Sequence, residues 1–220
     1  MHKTVQNIIQ INTEIQKKIE ILNYSTYSPN IIAVSKTFHM EEIKPLINHG
    51  HIHFGENKVQ EAIEKWQDEI KKNSKIKLHM IGKLQRNKVK FAVQLFHYIH
   101  SVDNLKLAQK IAEEQKKQNK QIKIFLQINI GNEEQKSGIS LEQVQHLYND
   151  CLKLDLNVIG LMCLPPLDNK TSTYFKNIKN MNDNLNMNEL SIGMSSDYLE
   201  ALEFKATFLR IGTKIFGDRG

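Results

Sequence analysis

Ile31-Ile32-Ala33-Val34-Ser35-Lys36-Thr37 joins a continuous, mostly β-branched apolar run to a polar turn that carries a lysine. Preceded by the turn residues Tyr27-Ser28-Pro29, the run predicts a short strand buried on both faces, the kind found in parallel sheets covered by helices. Lys36 then falls just past the strand end. Upstream, Val5, Ile8, Ile9, Ile15 and Ile19 recur at helical spacing and predict an amphipathic opening helix.

Downstream, strand-like and helix-like segments alternate. Further strands are predicted near Ile52–Phe54, Leu78–Ile81, Tyr98–Val102, Ile122–Ile130, Val158–Met162, Glu189–Ile192 and Thr207–Ile211, which makes eight. Between them, Val59, Ile63, Trp66 and Ile70 share one helical face, as do Leu105, Ala108, Ile111 and Ala112, and Leu141, Val144, Leu147 and Cys151. Asn57 with Gln60, and Ser140 with Gln143, have capping-box spacing. Strands separated by helices pair in parallel through right-handed crossovers. Eight of them favour closure over a doubly wound open sheet, which the same alternation would also produce. The expected fold is α/β, a single (β/α)8 TIM barrel with an extra N-terminal helix, one domain spanning residues 1–220. Because the chain ends soon after the eighth strand, the final barrel helix is expected to be missing, with the opening helix covering the gap. Asn182–Asn188 reads as an Asn-rich loop.

Composition narrows the function classes. With 40% hydrophobic and 25% charged residues the chain is an ordinary globular one, not a disordered or fibrous one. Its 30 Lys and Arg against 24 Asp and Glu give a net charge of +6, which favours an anionic partner without naming it. The lysines fall mostly in helix-like stretches such as Lys71, Lys72, Lys75 and Lys77, where a solvated face is the simpler reading, so no nucleic-acid partner is expected. Two cysteines, Cys151 and Cys163, form neither a disulfide framework nor a zinc set. No apolar window is long enough for a membrane span, and no signal-peptide block opens the chain. A cytoplasmic protein without a membrane partner is expected.

In a (β/α)8 barrel the active face is built by the loops after the strands. Those loops here are Ser35-Lys36-Thr37, Gly55-Glu56-Asn57, Gly82 to Asn87, Asp103, Asn129 to Gly138, Met162 to Pro166, Gly193-Met194-Ser195-Ser196-Asp197 and Arg210-Ile211-Gly212-Thr213. The last two predict a phosphate site: Gly193 and Gly212 admit close backbone approach, and Ser195, Ser196 and Thr213 add hydroxyls. One of the two serines also reads as a helix N-cap. Lys36 could pair with Glu56 or snorkel to water; to act as a nucleophile it must lose its proton. At an ordinary pKa near ~10.4 only about one part in 2,000 to 3,000 is deprotonated at pH 7. Desolvation or a neighbouring cation such as Arg210 would raise that share. His49, His51 and His53 lack a companion carboxylate at ligand spacing, so no metal is expected, and no H-E-x-x-H, P-loop or G-x-S-x-G motif occurs.

Taken in order, Ala33-Val34-Ser35-Lys36-Thr37, Phe54-Gly55-Glu56-Asn57, Ile81-Gly82-Lys83-Leu84-Gln85-Arg86-Asn87-Lys88, Ile99-His100-Ser101-Val102-Asp103, Gln135-Lys136-Ser137-Gly138, Gly160-Leu161-Met162, Gly193-Met194-Ser195-Ser196-Asp197-Tyr198 and Arg210-Ile211-Gly212-Thr213 closely resemble the pyridoxal phosphate homeostasis protein family over about nine tenths of the chain. The resemblance implies a barrel like the N-terminal domain of alanine racemase that binds pyridoxal 5′-phosphate without an established catalytic activity. It implies a Schiff base on Lys36, Asn57 beside the cofactor, Arg210 facing the pyridine nitrogen, and Ser195 or Ser196 with Gly212 and Thr213 on the phosphate. The family's usual second lysine, two places after the Schiff-base lysine, is Phe38 here. Lys136 reads equally as a solvated loop lysine or as a participant in cofactor transfer, and is not placed in the site.

The expected function is therefore intracellular homeostasis of pyridoxal 5′-phosphate: a monomeric carrier that holds the cofactor as a Schiff base on Lys36, keeps its free level low and hands it to apo pyridoxal-phosphate-dependent enzymes. The alternative is a pyridoxal-phosphate-dependent amino-acid racemase or decarboxylase. Racemases of this fold resemble a two-domain dimer whose second base comes from the other domain, and 220 residues leave no room for it. Any of Tyr24, Tyr27, Tyr98, Tyr148, Tyr174 or Tyr198 stays open as a base.

Overall fold

The alternation of apolar strands and amphipathic helices closes on itself. A computed structural model describes residues 1–218; the last two positions of the expected domain, Arg219 and Gly220, lie outside the described residues. The chain runs α1 (Lys3–Ile21), β1 (Asn30–Val34), α2 (Met40–Asn48), β2 (His53–Glu56), α3 (Val59–Lys72), β3 (Lys77–Met80), α4 (Val89–Leu95), β4 (Tyr98–Val102), α5 (Leu105–Gln118), β5 (Lys123–Ile128), α6 (Val144–Lys153), β6 (Asn157–Cys163), α7 (Thr171–Asn184), β7 (Glu189–Ser191), α8 (Tyr198–Ala201), β8 (Phe208–Ile211) and α9 (Thr213–Phe216). The strands form one closed parallel barrel in sequence order, and β1 meets β8 from Asn30↔Phe208 to Ala33↔Ile211. The expected (β/α)8 TIM barrel is the observed one, and the open sheet is excluded.

Side chains alternate across each strand, so one set packs outward under the helices and the other points into the barrel. Outward lie Ile31, Ala33, Phe54, Leu78, Ile99, Ile124, Leu161 and Leu209, in one continuous core with Ile43, Trp66, Ile111 and Phe175 from the helices. Inward lies a separate cluster of Ile32, Tyr98, Phe125, Met162 and Phe208. The interior departs from the branched apolar filling usual in such barrels. It is aromatic and imidazole-rich: His79 lies flat on Tyr98 (centroids 4.2 Å apart, 11° between planes), and His100 lies flat on Phe125 (4.2 Å, 19°). Flat rings fill a tapering cylinder without voids and leave edge nitrogens free to bond along its axis.

Two local expectations need correction. Ser140 and Gln143 do form a capping box, but Asn57 and Gln60 do not: Lys58 is the N-cap of α3, and the Gln60 amide turns along the helix to Glu64. The Asn-rich stretch is in part the end of α7, where buried Asn182 accepts from the Leu161 amide (3.1 Å) and donates to the Met187 carbonyl (2.8 Å). After β8 comes the single turn α9, and α1 packs beside it, Asn7 Nδ2 donating to the Ile215 carbonyl at 2.9 Å. The opening helix thus covers the seam as expected, burying Val5, Ile8, Ile11, Ile15 and Ile19.

Two predictions follow from this packing. Ile15→Ala, which truncates a side chain only 2% exposed, should cost about 2–5 kcal/mol in a denaturant titration, and removal of residues 1–24 should abolish cooperative unfolding. A truncated protein of unchanged stability would show that α1 is dispensable. Burial also lowers the pKa of His51, His53 and His97 to about 4 and pushes His79 and His100 well below the ordinary imidazole value. The folded state therefore refuses protons that the unfolded chain takes up below about 6.5, and stability present above that pH is lost as it falls toward 4. The slope should approach about 1.4 kcal/mol per pH unit for each proton gained on unfolding, readable as a falling melting temperature.

Candidate functional site

The same alternation that separates the two clusters aims the loop residues. Val34 and Lys36 point to the barrel mouth while Ser35 between them points to the helix layer; Asn57 follows two places after the inward Gly55; Arg210 and Gly212 follow two and four places after the inward Phe208. Closure of β8 onto β1 then places the loops after β1, β7 and β8 side by side. Between them lies a cavity of about 490 Å³ lined by Val34, Lys36, Asn57, Ile81, Leu164, Met194, Ser195, Ser196, Arg210, Gly212, Thr213 and Lys214. All seven site residues expected from the sequence line this one cavity.

Lys36 sits on a strained turn. Thr37, a β-branched residue, has φ +69°, a conformation it adopts only when its surroundings insist. They do so from the helix side. The Thr37 amide donates to Glu61 Oε1 at 2.6 Å, the Lys65 amine donates to the Ser35 carbonyl at 2.9 Å, and the Ser35 hydroxyl donates to Glu56 Oε1 at 2.7 Å. Glu56 Oε1 also receives Trp66 Nε1 (2.9 Å) and Lys65 Nζ (3.0 Å), and Lys65 reaches Glu61 at 3.0 Å. The ion pair that Glu56 makes is thus with Lys65. Burial nevertheless raises the Glu56 carboxyl pKa, against the pull of Lys65 and its hydrogen bonds.

On the opposite wall, Ser195 Oγ accepts from the amides of Gly212 (3.3 Å) and Lys214 (3.4 Å), so a hydroxyl and two backbone N–H groups converge at the start of α9. Neither serine caps α8; that position is held by Asp197, which accepts from the Met194 amide. Gly193 is needed for packing, not for ligand approach: at φ +89° a Cβ would lie 2.7 Å from that of Ala201. Gly82 has a similar role for Asn57, since a Cβ there would sit 2.4 Å from the Asn57 carbonyl oxygen, and the loop after β3 thereby seats Asn57.

Arg210 is 5% exposed and donates to the Ser191 carbonyl (2.6 Å), the Ser191 hydroxyl (2.6 Å) and the Cys163 carbonyl (2.7 Å). Burial lowers its pKa to about 10, so it remains charged at neutrality. Lys214, which sequence reasoning passed over although it adjoins Thr213, adds a third cation. Its amine lies 3.1 Å from the Tyr198 hydroxyl and 3.4 Å from Glu14, contacts that raise its pKa, the Tyr198 bond most. The other residues missed are Ser191, His79 and His100 behind Arg210, and strand alternation in Tyr98-Ile99-His100 was the signal available for the last. Phe38 stacks on Phe216 (4.7 Å, 22°) and ties the loop after β1 to α9. Lys136 faces an adjoining cavity of about 240 Å³, paired with Glu133 and donating to the Pro165 carbonyl at 3.3 Å. Among the described residues no cluster of His, Cys, Asp or Glu is arranged to hold a metal ion, and no helix is long and apolar enough to cross a membrane.

A parallel barrel with a cationic mouth behind a strand-end lysine defines a class of proteins. The model of the alanine racemase N-terminal domain matches residues 12–220, and an alanine racemase of Clostridium difficile 630 superposes with a TM-score of 0.72 at 17% identity, over 94% of this chain and 57% of that one, a likeness of fold. Within the class the chain belongs to the pyridoxal phosphate homeostasis protein family. It is 33% identical to the Pasteurella multocida pyridoxal phosphate homeostasis protein over 97% of each chain. It is also similar to PipY of Synechococcus elongatus PCC7942, solved with PLP bound, at 32% identity and a TM-score of 0.79 over 92% of this chain and all of that one.

The helix-side clamp behind Lys36 is open to test. Lys65→Met leaves the Glu56 carboxylate buried and without its cation, 0% exposed, and should cost about 3–5 kcal/mol of stability. Adding Glu56→Gln should restore part of that loss; equal stability of Lys65→Met and the unaltered protein would remove the clamp.

Proposed function

We propose that this chain binds pyridoxal 5′-phosphate in the mouth cavity, tethered to Lys36, and acts in the cytoplasm as a single-domain monomer that keeps the free cofactor low and passes it to apo-enzymes. The observation that carries this reading is the lining of the cavity: three cations (Lys36, Arg210, Lys214), three hydroxyls (Ser195, Ser196, Thr213) and no carboxylate among the described residues. That donor set fits a phosphate ester, and Val34, Ile81, Leu164 and Met194 supply apolar walls for a flat ring. The residues present therefore fit the group.

When bound, the cofactor offers an aldehyde that condenses reversibly with a primary amine, so capture and release need no further reagent. Lys36 supplies the amine on a backbone that the Glu61–Lys65–Glu56 clamp holds still. Ser195, Ser196, Thr213 and the amides of Gly212 and Lys214 would hold the phosphate through charge-assisted hydrogen bonds, and Lys214 would balance its charge. Asn57 would lie against the ring beside Lys36. Arg210 would face the ring nitrogen, where a fixed cation disfavours protonation and so weakens the ring as an electron sink.

The same lining argues for a carrier over a racemase or decarboxylase. None of the six tyrosines lines the cavity, and Tyr198 is engaged with Glu14 and Lys214. Lys214, with its raised pKa, carries a proton at neutral pH and does not serve as a base.

Lys36→Ala should abolish the yellow absorbance and the borohydride-reducible adduct of the loaded protein while leaving its melting curve in place. A reducible adduct that persisted on another lysine would move the tether elsewhere. Thr213→Val should weaken pyridoxal 5′-phosphate by about 1.5–3 kcal/mol, the worth of a hydrogen bond to a charged group. Incubation of the loaded protein with amino acids in deuterated water should leave their α-protons unexchanged; exchange faster than with free cofactor would make the protein an enzyme.

A further inference from the structure

Arg210 is a buried cation whose three hydrogen bonds all go to neutral oxygens. A buried charge held this way needs compensation from its surroundings. The Asp197 carboxylate supplies part of it, and a further row of dipoles runs down the barrel axis: His100 Nδ1 lies 3.0 Å from Ser191 Oγ, His79 Nδ1 lies 2.9 Å from His100 Nε2, and His53 Nδ1 lies 2.9 Å from His79 Nε2. Ser191, His79 and His100 are fully buried.

Donor counting fixes the direction of this chain. A guanidinium has only donors, so Ser191 Oγ accepts from Arg210, and the serine proton has His100 Nδ1 as its acceptor. An accepting Nδ1 leaves the proton of a neutral His100 on Nε2, which donates to His79 Nδ1. The same step repeats at His79 and leaves His53 with its proton on Nε2, at the floor end. Every O–H and N–H bond then points away from Arg210, and every negative end of a dipole points toward it. Burial, with Arg210 the next contribution at His100, opposes a second proton on these rings. Stacking on Tyr98 and Phe125 keeps the imidazoles of His79 and His100 from turning. Since Arg210 accepts no proton, the chain ends there and is not a conduit.

We propose that Ser191, His100, His79 and His53 form a one-way hydrogen-bond chain whose aligned dipoles stabilise the charge of Arg210 and hold its guanidinium at the wall of the mouth cavity. They are positioning residues, and the ligand arm of the test rests on the pyridoxal phosphate reading above. Dipoles in series polarise one another, so removing one link weakens the effect of the whole row.

Long-range proton–nitrogen correlation on the ¹⁵N-histidine-labelled protein without cofactor should find His79 and His100 each as a single neutral Nε2–H tautomer. Ser191→Ala should leave the fold intact and turn His100 into a tautomer mixture. An Nδ1–H or doubly protonated ring at either histidine, or an unchanged His100 signal in Ser191→Ala, would overturn the proposal. In the loaded protein, Ser191→Ala should raise the dissociation constant of pyridoxal 5′-phosphate at least about fivefold, and this effect should vanish in the Arg210→Gln background. Equal effects in both backgrounds would show that the serine acts independently of Arg210 and would overturn the positioning role. Failure of the unaltered protein to bind pyridoxal 5′-phosphate would sink the functional reading alone, because the tautomer measurement needs no ligand.

Discussion

The pairing of β1 with β8 is the constraint on which the site depends. Its register, from Asn30↔Phe208 to Ala33↔Ile211, brings the loop carrying Lys36 beside Arg210 of β8 and the Gly212-Thr213 turn that follows it, although the two lie at opposite ends of the chain. A strand that slipped by one place would turn Lys36 into the helix layer and Ser35 into the cavity, since side chains alternate with period two. The helix-side groups reinforce that choice. Glu56 accepts from the Ser35 hydroxyl and Lys65 donates to the Ser35 carbonyl, and a second lysine turned their way would bring its charge beside that of Lys65.

How far the sequence discloses this arrangement depends on how local each cause is. The eight strands are legible because each is a short apolar run bounded by polar turns, and Tyr98–Val102 is read to the residue. Six of the seven cavity-lining residues expected from the sequence are legible because they follow strand ends, where a barrel builds its active face, and Arg210 because it points inward from the end of β8. What escapes is whatever depends on a partner far along the chain. Asn57 has capping-box spacing with Gln60, but the loop after β3 presses on it at Gly82 and claims it for the cavity, so Lys58 caps α3 instead. Gly193 looks like a phosphate-loop glycine, yet its positive φ serves the packing of α8. The imidazoles inside the barrel are two places from recognisable inward residues, but three single histidines on three strands make no motif until closure stacks them.

Two polar systems share the barrel without mixing. Outside the strands, a carboxylate-rich clamp of Glu56 and Glu61 around Lys65 fixes the turn at Thr37. Inside, Ser191 and the Cys163 carbonyl give Arg210 neutral acceptors, and the imidazoles extend the row from Ser191. The sheet between them keeps the carboxylates on the helix side. Had an acid stood where Ser191 stands, it would neutralise Arg210 and cancel the pull of the cavity on an anion.

The remaining carboxylates near the mouth are occupied in the same sense. Glu14 binds Tyr198 and Lys214, Asp197 turns to the Met194 amide, and Glu133 is paired with Lys136. Of these, only Glu14 touches a cavity cation, and it does so from α1. An anion entering the cavity would compete with Glu14 for Lys214, and Lys214 also contacts the Tyr198 hydroxyl that anchors the same helix. The opening helix is therefore more than a cover for the barrel seam. It supplies the counter-charge that Lys214 holds, so an anion in the cavity would draw on the same amine that grips α1.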